Sequence, residues 1–64
     1  MIENKVRERR LELGMTLAQL SRESGVPLST LAEIEEHGRE PRVRTAQLLA
    51  RALWRTIDEL WPIP

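Results

Sequence analysis

The sequence predicts an all-α fold, and three observations carry the prediction. No run alternates apolar and polar residues with period two, and neither Tyr nor Phe is present to favour strands. Apolar residues recur instead at the three- and four-residue spacing of helix faces. Helix boundaries are written in as well. Gly14, Gly25 and Gly38 fall where helices stop, and Thr16 with Gln19, then Thr56 with Glu59, form two capping patterns. Five helices follow, in a single domain over residues 1–64 with no internal repeat, low-complexity tract or dividing linker.

The first helix is expected over 2–13, with Ile2, Val6, Arg10 and Leu13 roughly on one face and Gly14 as its stop. Thr16 caps a second helix running to about Ser24, with Leu17 and Leu20 as its apolar face. Gly25 makes the turn. The third helix covers roughly 28–36, with Leu31 and Ile34 inward, Val26 packing just ahead of it, and Gly38 at its end. Pro41 punctuates a loop. Residues 43–53 form the fourth helix on a stripe of Val43, Ala46, Leu49, Ala50 and Leu53. Thr56 opens a short fifth helix, whose Ile57, Leu60 and Trp61 fold back on the core.

Size and composition narrow the function classes. A chain of 64 residues buries only about 60% of its extended surface, so its stability margin is thin. There is no cysteine to form a disulfide or a thiolate–metal site. A second subunit is therefore an expected source of stability. No apolar run approaches the roughly eighteen residues of a membrane span, and no signal-peptide pattern opens the chain, which makes the cytoplasm the expected location. A single histidine, His37, without a cluster of carboxylates at ligand spacing, argues against a metal. There is no nucleophile–base set and no phosphate-cradling glycine loop, so neither an enzyme nor a cofactor or small-molecule ligand is expected.

Net charge is zero, from ten basic and ten acidic residues, and decides nothing about nucleic acid. The distribution says more. Residues 33–36 hold three glutamates and no cation, whereas residues 39–55 hold Arg39, Arg42, Arg44, Arg51 and Arg55 against Glu40 alone. Nine of the ten basic residues are Arg, whose guanidinium forks onto phosphate oxygens. The segment after the third helix should form a basic end.

Residues 17–36 carry the most specific pattern. Two helices joined at a steep angle need a small residue at the approach, a residue tolerant of positive φ in the turn, and apolar side chains sealing the joint. Ser21, Gly25, and Leu20, Val26, Leu31 and Ile34 supply these in turn. Spacing alone leaves two readings open: a DNA-reading helix-turn-helix, or an ordinary helical hairpin in a small bundle.

With "VRERRLELGMT", "LSRESGV", "TLAEIEEHG", "EPRVRTA", "LARAL" and "TIDELW" in view, the chain resembles the Cro/repressor-type (XRE-family) helix-turn-helix domain of lambdoid phages and bacterial regulators. The resemblance spans about residues 6–61 without a gap. It implies a five-helix, lambda-repressor-like domain that binds double-stranded DNA as a homodimer. The function it implies is a sequence-specific transcriptional regulator, a repressor on a palindromic operator. It also implies a structural ion pair between Arg10 and Glu35; the residues agree, since an unpaired guanidinium on the apolar side of the first helix would be costly.

The reading residues depart from the family pattern. Leu17 stands where the family has a Gln that bonds the DNA backbone, and the third helix opens on Pro27, Leu28 and Ser29 with Glu33 beyond. Leu28 can meet a thymine methyl, Ser29 either partner of a base edge, and Glu33 a cytosine amino group. Backbone contacts are expected from Thr16, Arg39, Arg42 and Arg44. Arg42 takes the place of a Ser or Thr cap on the fourth helix, which makes it both a lost cap and a cation at the positive end of the helix dipole. Trp54 follows Leu53 where the family often has Gly. With Arg55 and Ile57 it lies in the helix 4–5 region through which the family dimerises. The acidic third helix keeps an alternative open: a protein-interaction module on the same fold that no longer binds DNA.

Overall fold

The first helix begins later than its periodicity predicts: Lys5 is its N-cap, without a side-chain cap bond, and Asn4 closes a turn just ahead of it. In the computed structural model, which describes residues 4–63, the Asn4 Oδ1 accepts the Val6 amide at 3.0 Å, and α1 runs Val6–Glu12. The expected start at residue 2 is thus corrected, and Ile2 lies outside the described residues. Leu13 does not join the inner face either. It sits just past the last helical residue, 37% exposed, where the chain turns into Gly14. What faces inward from α1 is Val6, with the stems of Arg9 and Arg10 beside it.

The other four helices lie close to their expected bounds: α2 Leu17–Ser24, α3 Leu28–His37, α4 Val43–Leu53 and α5 Ile57–Leu60. Both capping boxes form. The Thr16 hydroxyl accepts the Gln19 amide at 3.1 Å while the Gln19 side chain accepts the Thr16 amide at 2.7 Å. Thr56 and Glu59 repeat the exchange at the start of α5. All are local signals, so sequence spacing locates them well.

Packing centres on α4, which lies against α1, α2 and α5, while α3 packs on α1 and α2. Leu20, Leu31, Ile34, Leu49, Leu53 and Val6 have no exposed surface, and Leu60 and Val26 almost none. Leu17, Ile57 and Trp61 cover the edges of this core. At about 1.5–3 kcal/mol for each fully buried aliphatic side chain, this cluster is the main favourable term in folding. Val43 is a correction. Its spacing puts it on the α4 stripe, yet it is 71% exposed, because the first turn of α4 runs on past the core the rest of the stripe covers. It lines a shallow apolar groove with Pro41, Ala46, Ile57, Trp61 and Ile63.

No local sequence pattern marks the polar contacts of α1. Its N-terminal approach and first turns donate to carbonyl groups at the C-terminal ends of three other helices. Asn4 Nδ2 donates to the Ile34 carbonyl of α3 at 3.0 Å, the Lys5 amide to the Leu60 carbonyl of α5 at 2.8 Å, and Arg9 Nε to the Leu53 carbonyl of α4 at 2.8 Å. Carbonyls in the last turn of a helix have no amide of their own helix to pair with, so these three donors satisfy groups that would otherwise go unmet. The first helix therefore clasps the bundle by polar contacts as much as by its single buried valine.

Candidate nucleic-acid interface

The joint between α2 and α3 is built from hydroxyls and one glycine. Gly25 takes φ +79°, and a Cβ placed there would meet nothing within 4 Å. Backbone conformation therefore demands the glycine, since a left-handed non-Gly residue costs about 1–2 kcal/mol. Ser21 Oγ donates to the Val26 carbonyl at 2.7 Å, tying α2 to the entry of α3. Ser24, buried, donates to Leu20 and accepts the Val26 amide at 3.1 Å, closing the turn. The part played by Ser24 went unread in the sequence, although Ser before Gly at a helix end is a usable signal. Pro27 stands at the N-cap of α3, one place before the first helical residue, and offers no side-chain cap.

From this joint α3 presents two different faces. Leu31 and Ile34 are buried, whereas Leu28, Ser29, Glu33 and Glu36 are exposed, Leu28 to 49%. Glu35 turns inward. Its carboxylate meets the Arg10 guanidinium in a fork, Nε to Oε2 at 2.9 Å and Nη2 to Oε1 at 3.0 Å, and Arg10 Nη1 donates to the Met15 carbonyl at 2.8 Å. Only 4% of the Glu35 side chain and 12% of the Arg10 side chain remain exposed. Of the three glutamates between 33 and 36, one is a partner for α1 and two face solvent.

The cations lie beyond α3. Arg39, Arg42 and Arg44 are all exposed, and among the described residues none of them enters an ion pair. Lys5, Arg9, Arg10 and Arg55 each pair with a glutamate instead. Arg42 is the N-cap of α4, extended at ψ 158° and without a side-chain cap bond, and the first turn of that helix holds no acid. Free backbone amides at a helix start and two guanidinium groups thus occupy one short segment, an arrangement that suits an anion. Arg44 continues along α4 with Gln47, Leu48 and Arg51, which line a second shallow groove. Thr16 is exposed at the start of α2, with its hydroxyl engaged in the cap.

Near the α4–α5 connection, Trp54 takes the left-handed conformation at φ +57° while 79% exposed. It does not lie over the core of its own chain. Arg55 is exposed, with Nη1 donating to the Trp54 carbonyl at 3.0 Å and Nε 3.9 Å from Glu59. Ile57 is half-buried against the core and reaches the apolar groove. Trp61 packs on the core, and its Nε1 is buried with no partner among the described residues.

Two helices joined by a glycine turn, the second with an exposed face and a basic segment after it, have the layout of a helix-turn-helix domain. The helix-turn-helix family model matches residues 6–60, and the chain belongs to that family, of the XRE type. Family and fold are those of DNA-binding transcriptional regulators. The N-terminal DNA-binding domain of SinR from Bacillus subtilis superposes with a TM-score of 0.79 at 24% identity, over 83% of this chain and 78% of that one. A chain of the SinR protein/SinI protein complex gives 0.82 at 25% identity, over 91% of this chain but only 57% of that one. A point mutant of the restriction-modification controller protein C.Esp1396I gives 0.72 at 25% identity, over 80% of this chain and 66% of that one. No curated protein matches by sequence. No helix among the described residues is long and apolar enough to cross a membrane.

Proposed function

We propose that this domain is a sequence-specific transcriptional repressor that binds a palindromic operator as a homodimer. The observation that carries the proposal is the pairing of an exposed α3 face with Arg39, Arg42 and Arg44 left unpaired among the described residues. The α3 helix enters the major groove, where Leu28 meets a thymine methyl, Ser29 a base edge and Glu33 a cytosine amino group, each worth about 1–3 kcal/mol of discrimination at best. Arg39, Arg42, Arg44 and the start of α2 at Thr16 grip phosphates, which supply most of the affinity. Trp54, Arg55 and Ile57 form the contact between protomers, since an exposed Trp in a costly conformation suits an interface anchor. Two reading helices then address half-sites about 34 Å apart.

Selection from a random duplex pool at low salt tests the proposal. The expected result is an enriched sequence of two related half-sites, a footprint over both, and affinity that falls steeply as salt rises. A folded, dimeric protein that enriches no sequence would instead favour the second reading, a protein-interaction module. The exposure of Leu28 beside Glu33 and Glu36 supports that second reading, because those acids would repel a phosphate backbone.

A further inference from the structure

We infer that Asn4 is a positioning residue for the reading helix: its one carboxamide, accepting at the start of α1 and donating at the end of α3, sets the angle at which α3 meets DNA. The inference rests on the DNA-binding reading above. Its basis is chemical. A carboxamide holds an acceptor and two donors in one plane, so it can serve the opposite ends of two helices at once. Asn4 Oδ1 takes the Val6 amide at 3.0 Å, and Nδ2 reaches the Ile34 carbonyl at 3.0 Å, thirty positions along the chain.

The Ile34 carbonyl needs such a donor. It belongs to the last turn of α3, where intrahelical amides run out. The amides of Gly38 and Arg39 both turn back to the Glu33 carbonyl and do not serve it. Asn4 itself stands on a fixed base, since the next amide, that of Lys5, donates to Leu60 of α5 at 2.8 Å. The following residue of α3, Glu35, is gripped by Arg10 from the same helix α1. Two consecutive residues of α3 are therefore held, one by its backbone and one by its side chain.

Buried Leu31 and Ile34 seat α3 in the core and Ser21 ties its entry, and the two attachments to α1 restrict the tilt that this packing leaves. Leu28 lies six residues before Ile34, a lever of about 9 Å at the usual helical rise. A tilt of about 10° would carry its end by about 1.5 Å, more than a base-edge hydrogen bond tolerates. Losing the Asn4 attachment should cost discrimination among sequences more than it costs hold on the phosphates.

Asn4→Asp separates the two halves of the contact. It keeps an oxygen for the Val6 amide, and Asp makes the same i→i+2 turn as Asn, but it offers Ile34 no donor. The expected result is a folded protein whose amides in the last turn of α3 exchange about fivefold faster. The ratio of affinity for the selected duplex to that for a scrambled one falls about fivefold as well, with low-salt binding to the scrambled duplex unchanged. Wild-type exchange in α3, or faster exchange with an undiminished ratio, would overturn the inference. Both affinities falling together, with the ratio kept, is the mark of a variant that is merely less stable and would overturn it too. Should Asn4→Asp not fold, Asn4→Ser, which also keeps an accepting oxygen, is measured in its place. If the wild-type protein itself enriches no duplex, the DNA-binding reading fails, and the exchange arm alone decides whether Asn4 holds α3.

Discussion

Arg42 occupies a position that its own chemistry makes unfavourable. An N-cap Ser or Thr typically contributes about 1 kcal/mol, and a cation there opposes the helix dipole by roughly 0.3–1 more. Arg42→Ser should therefore raise the thermal midpoint by several degrees while weakening binding to all duplexes alike. The slope of log affinity against log salt should flatten by about 0.9, the value of one phosphate contact. A salt titration beside a thermal melt checks both, and a gain in stability with no loss of binding would make Arg42 a solvated bystander. Arg10 gives the opposite case. Arg10→Ala strands the Glu35 carboxylate, whose side chain is only 4% exposed. Breaking a buried pair this way costs about 3–5 kcal/mol, most of the stability of a small domain. Circular dichroism should find that variant largely unfolded when warm, and the double replacement Arg10→Met with Glu35→Leu folded, since it leaves no buried charge.

At the scale of elements, α5 is the informative one. Four residues cannot hold a helix by themselves, so Ile57–Leu60 depends on its cap and on the burial of Leu60. The Thr56 amide, then the Thr56 hydroxyl, hold the Glu59 carboxyl below its ordinary value of 4.5, with smaller help from the charges of Arg55 and Arg9. A lowered folded-state value means that the charged form is the stabilising one. The cap should be complete above about pH 4.5 and fade as pH falls through the folded value. The Thr56 amide shift, followed by NMR, should titrate with a midpoint below 4.5, and Glu59→Gln should abolish that titration. The elements also show where sequence reading succeeds. Both Thr boxes close within three residues, and so does the Gly25 turn, so spacing was enough to find them. The expected start of α1 lies too early because apolar periodicity overlooks the local Asn4 turn onto the Val6 amide; only the Asn4 bond to Ile34, thirty residues away, has no local pattern to announce it.

For the whole molecule the open surface is the part that matters. Trp54 is 79% exposed in a left-handed conformation that costs about 1–2 kcal/mol in a non-Gly residue. A lone protomer gains little from it. Trp54→Gly should leave the protomer at least as stable, yet shift it from dimer to monomer in sedimentation at micromolar concentration and weaken operator binding. A wild-type protein that sediments as a monomer, or a variant that dimerises as well, would remove Trp54 from the interface. The two outcomes are separable because the strain lies within one chain and the contact between two.

The sequence by itself determined the helices, their order, the glycine turn and the family, because each depends on contacts within a few residues or on a periodic stripe. It also predicted the basic segment, since Arg39, Arg42 and Arg44 need only be counted. Tertiary structure alone decided which apolar residues stay outside, as with Leu13 just past α1 and Val43 at the start of an otherwise buried α4 stripe. It alone decided that α1 would serve the ends of three other helices. The physical reason is that an end-of-helix carbonyl takes whichever donor the packed chain brings to it, and that choice is made in space rather than along the chain.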